Sequence, residues 1–370
     1  VPSVSPIEPT TLNPYLYFKA DSNVSTSGGS VSTWYQITHS EGNQISTYLS
    51  QGTANEQPQH DSSDNHVTYD SSDDHLDFYS TTITQAGTLV SATSNGIWAF
   101  DVNTNSQTDV NALGYYNGFA FAVDQYALIL FPTLTDAELA GVVLWLEQNT
   151  NATKTASGSL FNYNRVRSEI TKLRAEGLDT SSATGFVTAW FNCSSMTSFP
   201  SLDVSSGTNF SYAWKNCSGL TSFPSLDTSS GTNFQEAWMG CSSLTSFPSL
   251  DTSSGTTFSE SWRNCTSLTS FPSGFFNSWN PSSISSGVFN ATWDGCTDLT
   301  ATSVENILTS LATSGKHGTD DGTSGGSALA DAVIDIDYDT GTGSLTTATN
   351  TAITTLKSRS WGITINGVAQ

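Results

Sequence analysis

The sequence predicts a mainly β fold with short helices, in which an N-terminal β-sandwich leads into a solenoid of short coils capped at both ends. Three observations predict it. Leu178-Asp179, Leu202-Asp203, Leu226-Asp227 and Leu250-Asp251 recur every 24 residues, in step with Trp190, Trp214, Trp238 and Trp262 and with Cys193, Cys217, Cys241 and Cys265. A fixed period of this size means that each unit covers its neighbour's apolar face. Residues 15–132 break into short β-prone runs separated by Gly, Asn, Asp and Ser, the pattern of a sandwich. The segments that flank the repeat carry apolar residues at helical spacing without the 24-residue period, as capping elements do.

The chain has 370 residues, enough for two or three domains, and a formal net charge of -22 from 33 acidic and 11 basic residues. That balance argues against a nucleic-acid partner and an anionic membrane surface, both of which require a basic face. Only 12% of residues are charged, but ten Trp and nineteen Phe supply a core. Neither a signal peptide nor an apolar run of membrane-spanning length is visible in these 370 residues.

Residues 1–14 carry four prolines and read as an extended arm or linker, lying on a neighbour in an assembly or loose in a monomer. Residues 15–150 form the sandwich. Its strands are expected at Tyr15–Phe18, Val31–Tyr35, His75–Phe78, Gly87–Val90, Gly96–Phe100 and Tyr126–Phe131. A helix follows, with Thr135 as N-cap, Glu138 completing a capping box, and Leu139, Val142, Val143 and Leu146 on one face. Residues 151–177 are expected to be a helical linker: Val166, Ile170 and Leu173 make the buried stripe of a helix over Asn164–Glu176, closed by Gly177. Its Arg165, Arg167, Lys172 and Arg174 point to a solenoid cap or, alternatively, a local basic patch.

Residues 178–299 form the solenoid. Leu-Thr-Ser-Phe-Pro is the expected strand of each coil, and the segment from Phe210 through Trp214 to Cys217 is the helical or irregular return, one apolar face inward. Cys265 to Cys296 spans 31 residues, so a seven-residue insertion interrupts the fourth coil. It is expected to leave Phe275, Phe276 and Trp279 exposed or half-buried in a loop. Trp293 and Cys296 resume the pattern. Residues 300–370 are read as two atypical closing coils: a helix capped by Ser303 through Leu311, a polar Gly-rich loop over 315–327, a strand at Ile334–Tyr338, a helix near Asn350–Ser358 and a strand from Trp361 to Ile365.

Two resemblances extend this reading. Leu16-Tyr17-Phe18-Lys19-Ala20-Asp21 with Gly28–Trp34, Tyr69–Leu76 and Phe131–Leu139 resemble the opening strands, a middle strand start and the closing strand of the concanavalin-like, laminin-G-type jelly roll. Cys241-Ser242-Ser243-Leu244-Thr245-Ser246-Phe247-Pro248 resembles the coil of BspA-type leucine-rich repeats. The second resemblance implies a curved solenoid with a strand sheet along one face. Proteins of that class are mostly surface adhesins of bacteria and protists or fibre proteins of tailed phages. The combination with a jelly roll looks most like a marine phage appendage.

The chemistry-bearing residues give no enzyme constellation. The five histidines, His39, His60, His66, His75 and His317, lack a hydrolase context, and there is no Gly-x-Ser-x-Gly elbow. An active site is singular, whereas a repeated surface suits linear recognition. The five cysteines all fall at one repeat position, and so read as a structural ladder of Cys193, Cys217, Cys241, Cys265 and Cys296, parallel to a core ladder of Trp190, Trp214, Trp238, Trp262 and Trp293. Asp61, Asp64, Asp70 and Asp73, interleaved with His60, His66 and His75, have the composition of a calcium site. Two solvated turns are the favoured reading, and no cofactor is assigned. Asp335, Asp337 and Asp339 begin like a calcium loop, but Thr340 stands where the loop needs Gly, so they read as outward strand residues. Asp203, Asp227 and Asp251 form a column that either faces a polyhydroxylated glycan or makes turns that help coils stack. The expected function is a non-enzymatic structural and host-recognition protein on a virion surface. Its partners would be other appendage subunits through the N-terminal region, a host glycan, and further copies of the chain. A bacterial surface adhesin and a polysaccharide depolymerase are the alternatives.

Overall fold

The computed structural model describes residues 5–12, 16–19, 24–27, 30–35, 48–50, 59–61, 66–69, 77–78, 87–93, 96–102, 123–149, 158–159, 170–174, 180–319, 322–329 and 331–370. It divides into two units, Val1–Ser182 and Ala183–Gln370. Among the described residues no helix is long and apolar enough to cross a membrane.

The first unit contains β1 (Leu16–Lys19), β2 (Val24–Ser27), β3 (Ser30–Tyr35), β4 (Tyr48–Ser50), β5 (Gln59–Asp61), β6 (His66–Tyr69), β7 (Asp77–Phe78), β8 (Gly87–Thr93), β9 (Gly96–Val102), β10 (Val123–Phe131), α1 (Asp136–Asn149), β11 (Gly158–Ser159) and β12 (Ile170–Arg174). The sheet runs β12-β9-β8-β10-β6-β5-β3-β4-β7, with β1 on β10 and β2 on β3. β1 pairs antiparallel with β10, Leu16 opposite Leu130, so the short first strand lies on the long strand that precedes α1. The core lies between β8–β10 and α1, where Val90, Ala92, Ile97, Ile129 and Phe131 meet Leu139, Val142, Val143 and Leu146.

The start of α1 is a reciprocal cap. Glu138 accepts from the Thr135 amide at 2.8 Å while the Thr135 hydroxyl accepts from the Glu138 amide at 3.3 Å. The Thr135 hydroxyl also donates to Glu138 Oε2 at 2.7 Å, and that bond, then the amide's, holds the Glu138 carboxyl below its ordinary range. The arm is neither loose nor free over its described part, 5–12. The Ile7 amide donates to the Gly141 carbonyl at 2.9 Å. A Cβ on Gly141 would stand 2.5 Å from Ile7 Cγ1, so only glycine lets the arm lie this close to α1.

The sequence predicts a helix over 164–176, but residues 170–174 are strand β12, paired antiparallel with β9. The remainder of that helix and Gly177 lie outside the described residues. The cause is a side chain whose partners the periodicity does not show. Arg174 is 3% exposed. Its guanidinium donates to Asp101 at 3.0 Å, to the Leu134 carbonyl at 3.0 Å and to Asp136 at 2.7 Å. It thereby ties β9, the β10–α1 turn and the first turn of α1 to the edge strand. Buried as it is, it lies on no basic surface patch. Buried ion pairs are strongly destabilising when one partner is removed. Arg174→Ala is therefore expected to lower the stability of this unit by about 3–5 kcal/mol, read by chemical denaturation followed at the unit's own far-ultraviolet signal.

The second unit stacks coils on one another at the repeat step. Parallel bridges join Gly185 to Asn209, Asn209 to Asn233 and Asn233 to Thr257; a second column joins Ser198 to Ser222 and Ser246 to Ser270. The Thr-Ser-Phe-Pro segments make single bridges, not long strands, because the following proline has no N–H to extend a ladder. The return segment is a chain of turns. Ala213 N donates to Phe210 O at 3.1 Å and Cys217 N to Trp214 O at 3.1 Å, with Tyr212 and Asn216 both at φ 61°. An i→i+3 bond with positive φ at the third residue is a type II turn. The alternate amides point along the stack: Phe210 donates to Asn233 O, Tyr212 to Gln235 O, Trp214 to Ala237 O and Asn216 to Met239 O, at 2.7–2.9 Å. Every backbone donor from 210 to 217 except that of Ser211 thus bonds a carbonyl of its own coil or the next; Ser211 N bonds the Asn209 side chain at 3.0 Å.

The interior is aromatic. Trp190, Trp214, Trp238, Trp262 and Trp293 stack with centroids 5.1, 5.3, 5.5 and 5.7 Å apart. Phe186, Phe210, Phe234, Phe258 and Phe289 form a second stack at 5.1–5.6 Å. Phe199, Phe223, Phe247 and Phe271 form a third, edge-on to the Trp column. The insertion is a correction to the sequence reading. Phe275, Phe276 and Trp279 are 7%, 0% and 1% exposed. Phe276 sits edge-on to Phe258, Phe289 and Trp293, so the added residues fold into the core instead of leaving it.

After the fifth coil come α2 (Ala301–Ser314), β14 (Val333–Ile336), α3 (Thr347–Lys357), β15 (Gly362–Ile365) and β16 (Val368–Ala369); β13 (Ala183–Gly185) opens the unit. Thr300, not Ser303, caps α2: its hydroxyl accepts from the Ser303 amide. The Ser303 hydroxyl is occupied elsewhere, donating to Thr269 O at 2.9 Å and accepting from Phe271 N at 3.0 Å. Ile336 bridges Trp293 in parallel and β15 pairs in parallel with β14, so the coil-to-coil register continues into these segments. β16 then turns back antiparallel on β15.

Candidate functional site

One face of the stack is polar and repeated. Thr197-Ser198, Thr221-Ser222, Thr245-Ser246 and Thr269-Ser270 are exposed, as are Ser201, Ser225 and Ser249 and the column of Asp203, Asp227 and Asp251. The threonines are locked along the stack: Thr221 Oγ1 donates to Thr197 O at 3.2 Å and Thr269 Oγ1 to Thr245 O at 3.0 Å. Each aspartate closes a turn. Oδ1 accepts from the amide of Ser205, Ser229 or Ser253 at 3.0, 3.1 and 3.0 Å. Asx-turn chemistry accounts for this. The Ser229 hydroxyl, and then its amide, hold the Asp227 carboxyl below its ordinary range. The column therefore has a structural duty at one oxygen of each carboxylate while the residue remains exposed.

The stripe ends in a cleft. Where the insertion replaces the next Leu-Asp turn, a cavity of about 320 Å³ opens between Leu250–Ser253 and Gly274, Phe275, Ser278 and Trp279. The Trp279 indole donates to Gly255 O at 2.8 Å and Asn280 N to Ser253 O at 3.0 Å, which pin the insertion against the coil. In the coil before, the Thr228 hydroxyl donates to the carbonyl of Asp251 at 2.6 Å. The insertion removes the corresponding carbonyl one coil on, and the buried Thr252 hydroxyl has no partner. Periodicity reveals the insertion, but not that it folds inward and leaves a cleft.

The cysteines form no reactive or metal centre. All five are free and buried. Cys217, Cys241, Cys265 and Cys296 each place Sγ 3.0–3.2 Å from the carbonyl of the preceding coil's Trp, and the thiol donates. Burial pushes the Cys265 thiol up to about 12, and raises Cys217, Cys241 and Cys296 well above their ordinary value. The nucleophile is the thiolate, so these groups are inert while folded. A thiol-disulfide reagent at pH 8 is expected to titrate none of the five in the native protein and all five in denaturant. Fast native labelling of even one would contradict this.

Among the described residues no group of three or more His, Cys, Asp or Glu could hold a metal ion. Asp61 ends β5 opposite His66. Asp64, Asp70 and Asp73 lie outside the described residues, as do His39 and His75. Asp337 accepts from Gly295 N at 2.9 Å and Asp339 from Gly341 N at 2.7 Å, so both bind backbone. Asp335 is partly buried, and burial, then Asp294 and Asp337, raise its carboxyl above the ordinary range. A carboxyl raised in the folded state costs stability above that raised value, and the cost is relieved as pH falls through it. Asp335→Asn is expected to stabilise the unit at pH 7 by less than about 1 kcal/mol, given solvent screening, and to have no effect below the carboxyl's titration. Thermal melts at the two pH values check both.

No protein-family model matches the sequence, and no curated protein or solved structure matches the chain.

Proposed function

We propose that the chain is a non-enzymatic structural and recognition protein. In this reading a jelly roll joins a capped leucine-rich-repeat-type solenoid of the BspA kind, exposed on the virion of a tailed phage, and the repeat face binds a host surface glycan. The observation that carries it is the exposed column of Asp203, Asp227 and Asp251 with its Thr-Ser neighbours, repeated at the step of the buried Trp rings, which stack 5.1–5.7 Å apart. A linear polymer of hydroxylated rings can meet such a column once per coil. Many weak hydrogen bonds then add as linked binding events.

The acidic balance of the chain favours a neutral glycan over an acidic one. Appendage subunits would associate through the N-terminal unit, so light scattering should return a multiple of 39.3 kDa. The binding test uses the full chain on immobilised neutral polysaccharides and host-cell envelopes. Replacing Asp203, Asp227 and Asp251 together by Asn keeps an acceptor for each turn and removes the charges. It is expected to weaken binding by about tenfold or more, since hydrogen bonds to charged groups contribute about 1.5–3 kcal/mol. Undiminished binding by the triple variant would remove the stripe from the reading.

A further inference from the structure

We infer that the cleft at the end of the stripe is a carbohydrate subsite that takes one neutral hexose unit, a deepening that rests on the glycan-binding reading above. Four features of the lining specify that ligand. The first is the orphaned hydroxyl. Thr252 occupies the place of Thr228, whose hydroxyl donates to the next coil's carbonyl, yet its own buried hydroxyl has no acceptor. Thr252 is one of the residues that line the cavity. A ligand hydroxyl seated there supplies the missing partner, with a small adjustment of the wall to admit it.

The second feature is Asp251. Its Oδ1 holds the Ser253 amide at 3.0 Å, and no hydrogen bond engages Oδ2 among the described residues. An acceptor-only oxygen on an exposed carboxylate suits a pair of sugar hydroxyls. The third is an amphipathic lining: Leu250 and Phe275, 6% and 7% exposed, stand beside Ser249, Ser253 and Ser278. A pyranose presents C–H groups on one face and hydroxyls around its edge, and this wall offers apolar and polar groups side by side. The fourth is charge. Asp251 is the one acidic or basic residue in the lining, so a uronate, sialate or sulfated sugar meets an acidic wall where a hexose does not. The cavity of about 320 Å³ is at the small end for ligand sites, which fits a single unit at the stripe's end and not a branched oligosaccharide.

The test is calorimetric titration of the full chain with hexaoses of glucose, mannose and galactose, and with oligogalacturonate as the anionic control. Asp251→Asn and Thr252→Val are each expected to weaken binding of the preferred neutral hexaose by about tenfold, while Asp203→Asn and Asp227→Asn stay within about twofold. Thr252→Val is also expected to melt no lower than the native chain, because the hydroxyl it removes has no partner. That separates a lost ligand contact from a damaged fold. Equal losses for all three aspartates would overturn the subsite and leave the stripe. Oligogalacturonate binding as tightly as the neutral sugars would overturn the assignment of ligand class. A native chain that binds none of the probes would overturn the glycan reading itself.

Discussion

The second unit depends on one constraint: every coil must present its backbone donors at the same height as the acceptors of the next. Turns at Phe210–Ala213 and Trp214–Cys217 set alternate amides parallel to the stack, and those amides bond the following coil at 2.7–2.9 Å. The alternation requires left-handed backbone twice per coil. At the second position the residues are Asn192, Asn216, Gly240, Asn264 and Gly295, types suited to it. At the first they are Thr188, Tyr212, Glu236, Glu260 and Ala291, which are not. Each such residue costs about 1–3 kcal/mol in isolation. The strain persists because four of these five amides are the ones that bond the next coil: Thr188 to Ser211, Tyr212 to Gln235, Glu236 to Ser259 and Glu260 to Asn290.

The same register brings like residues over like. Flat rings tolerate that arrangement, since stacked and edge-on pairs contribute about 0.5–1.5 kcal/mol beyond their burial. The interior accordingly uses Trp and Phe in columns where a single-copy core would mix shapes. One polar liability follows. The indole N–H groups of Trp214, Trp238, Trp262 and Trp293 are buried without an acceptor. An unmet donor costs about 1–3 kcal/mol. Burying a Trp side chain of about 150–250 Å² returns more than that at about 25 cal/mol per Å². The cysteines solve the parallel problem better, since the thiols of Cys217, Cys241, Cys265 and Cys296 each find the carbonyl one coil back. Charges on the outer face follow the register too: Lys215 pairs with Glu236, and Arg263 with Glu260 and Asp294.

What the sequence made legible was whatever depends on period or on one apolar face. The coil step, the aromatic and thiol columns, the capping box of Thr135 and Glu138, and the strands at 87–90, 96–100 and 126–131 all belong to that class. Strands β2, β4, β5 and β6 escaped because Val24–Ser27, Tyr48–Ser50, Gln59–Asp61 and His66–Tyr69 carry too little apolar alternation to declare a face. Residues 170–174 misled because Ile170 and Leu173 fit a helical stripe, whereas the deciding contacts of Arg174 come from residues 38, 40 and 73 positions away. The aspartate column was legible as a column. Its turn bonds are local and agree with Asx chemistry, while its exposure is a property of the stacked coils.

The insertion shows how a repeat acquires a singular place. A perfect stack offers a ligand the same surface at every step, so it can give avidity but no preferred position. Seven additional residues between Phe271 and Phe289 change that. Their apolar members, Phe275, Phe276 and Trp279, are drawn into the aromatic interior, because exposing them would cost more than bending the chain inward. Drawing them in displaces the Leu-Asp turn that every earlier coil supplies. The hydroxyl of Thr252 loses the carbonyl that turn would have offered, and a cavity forms beside Asp251. Hydrophobic burial at one point of the stack thus creates a polar vacancy at its edge. That coupling links the irregular residues of the sequence to the open recess beside Asp251 on the polar stripe.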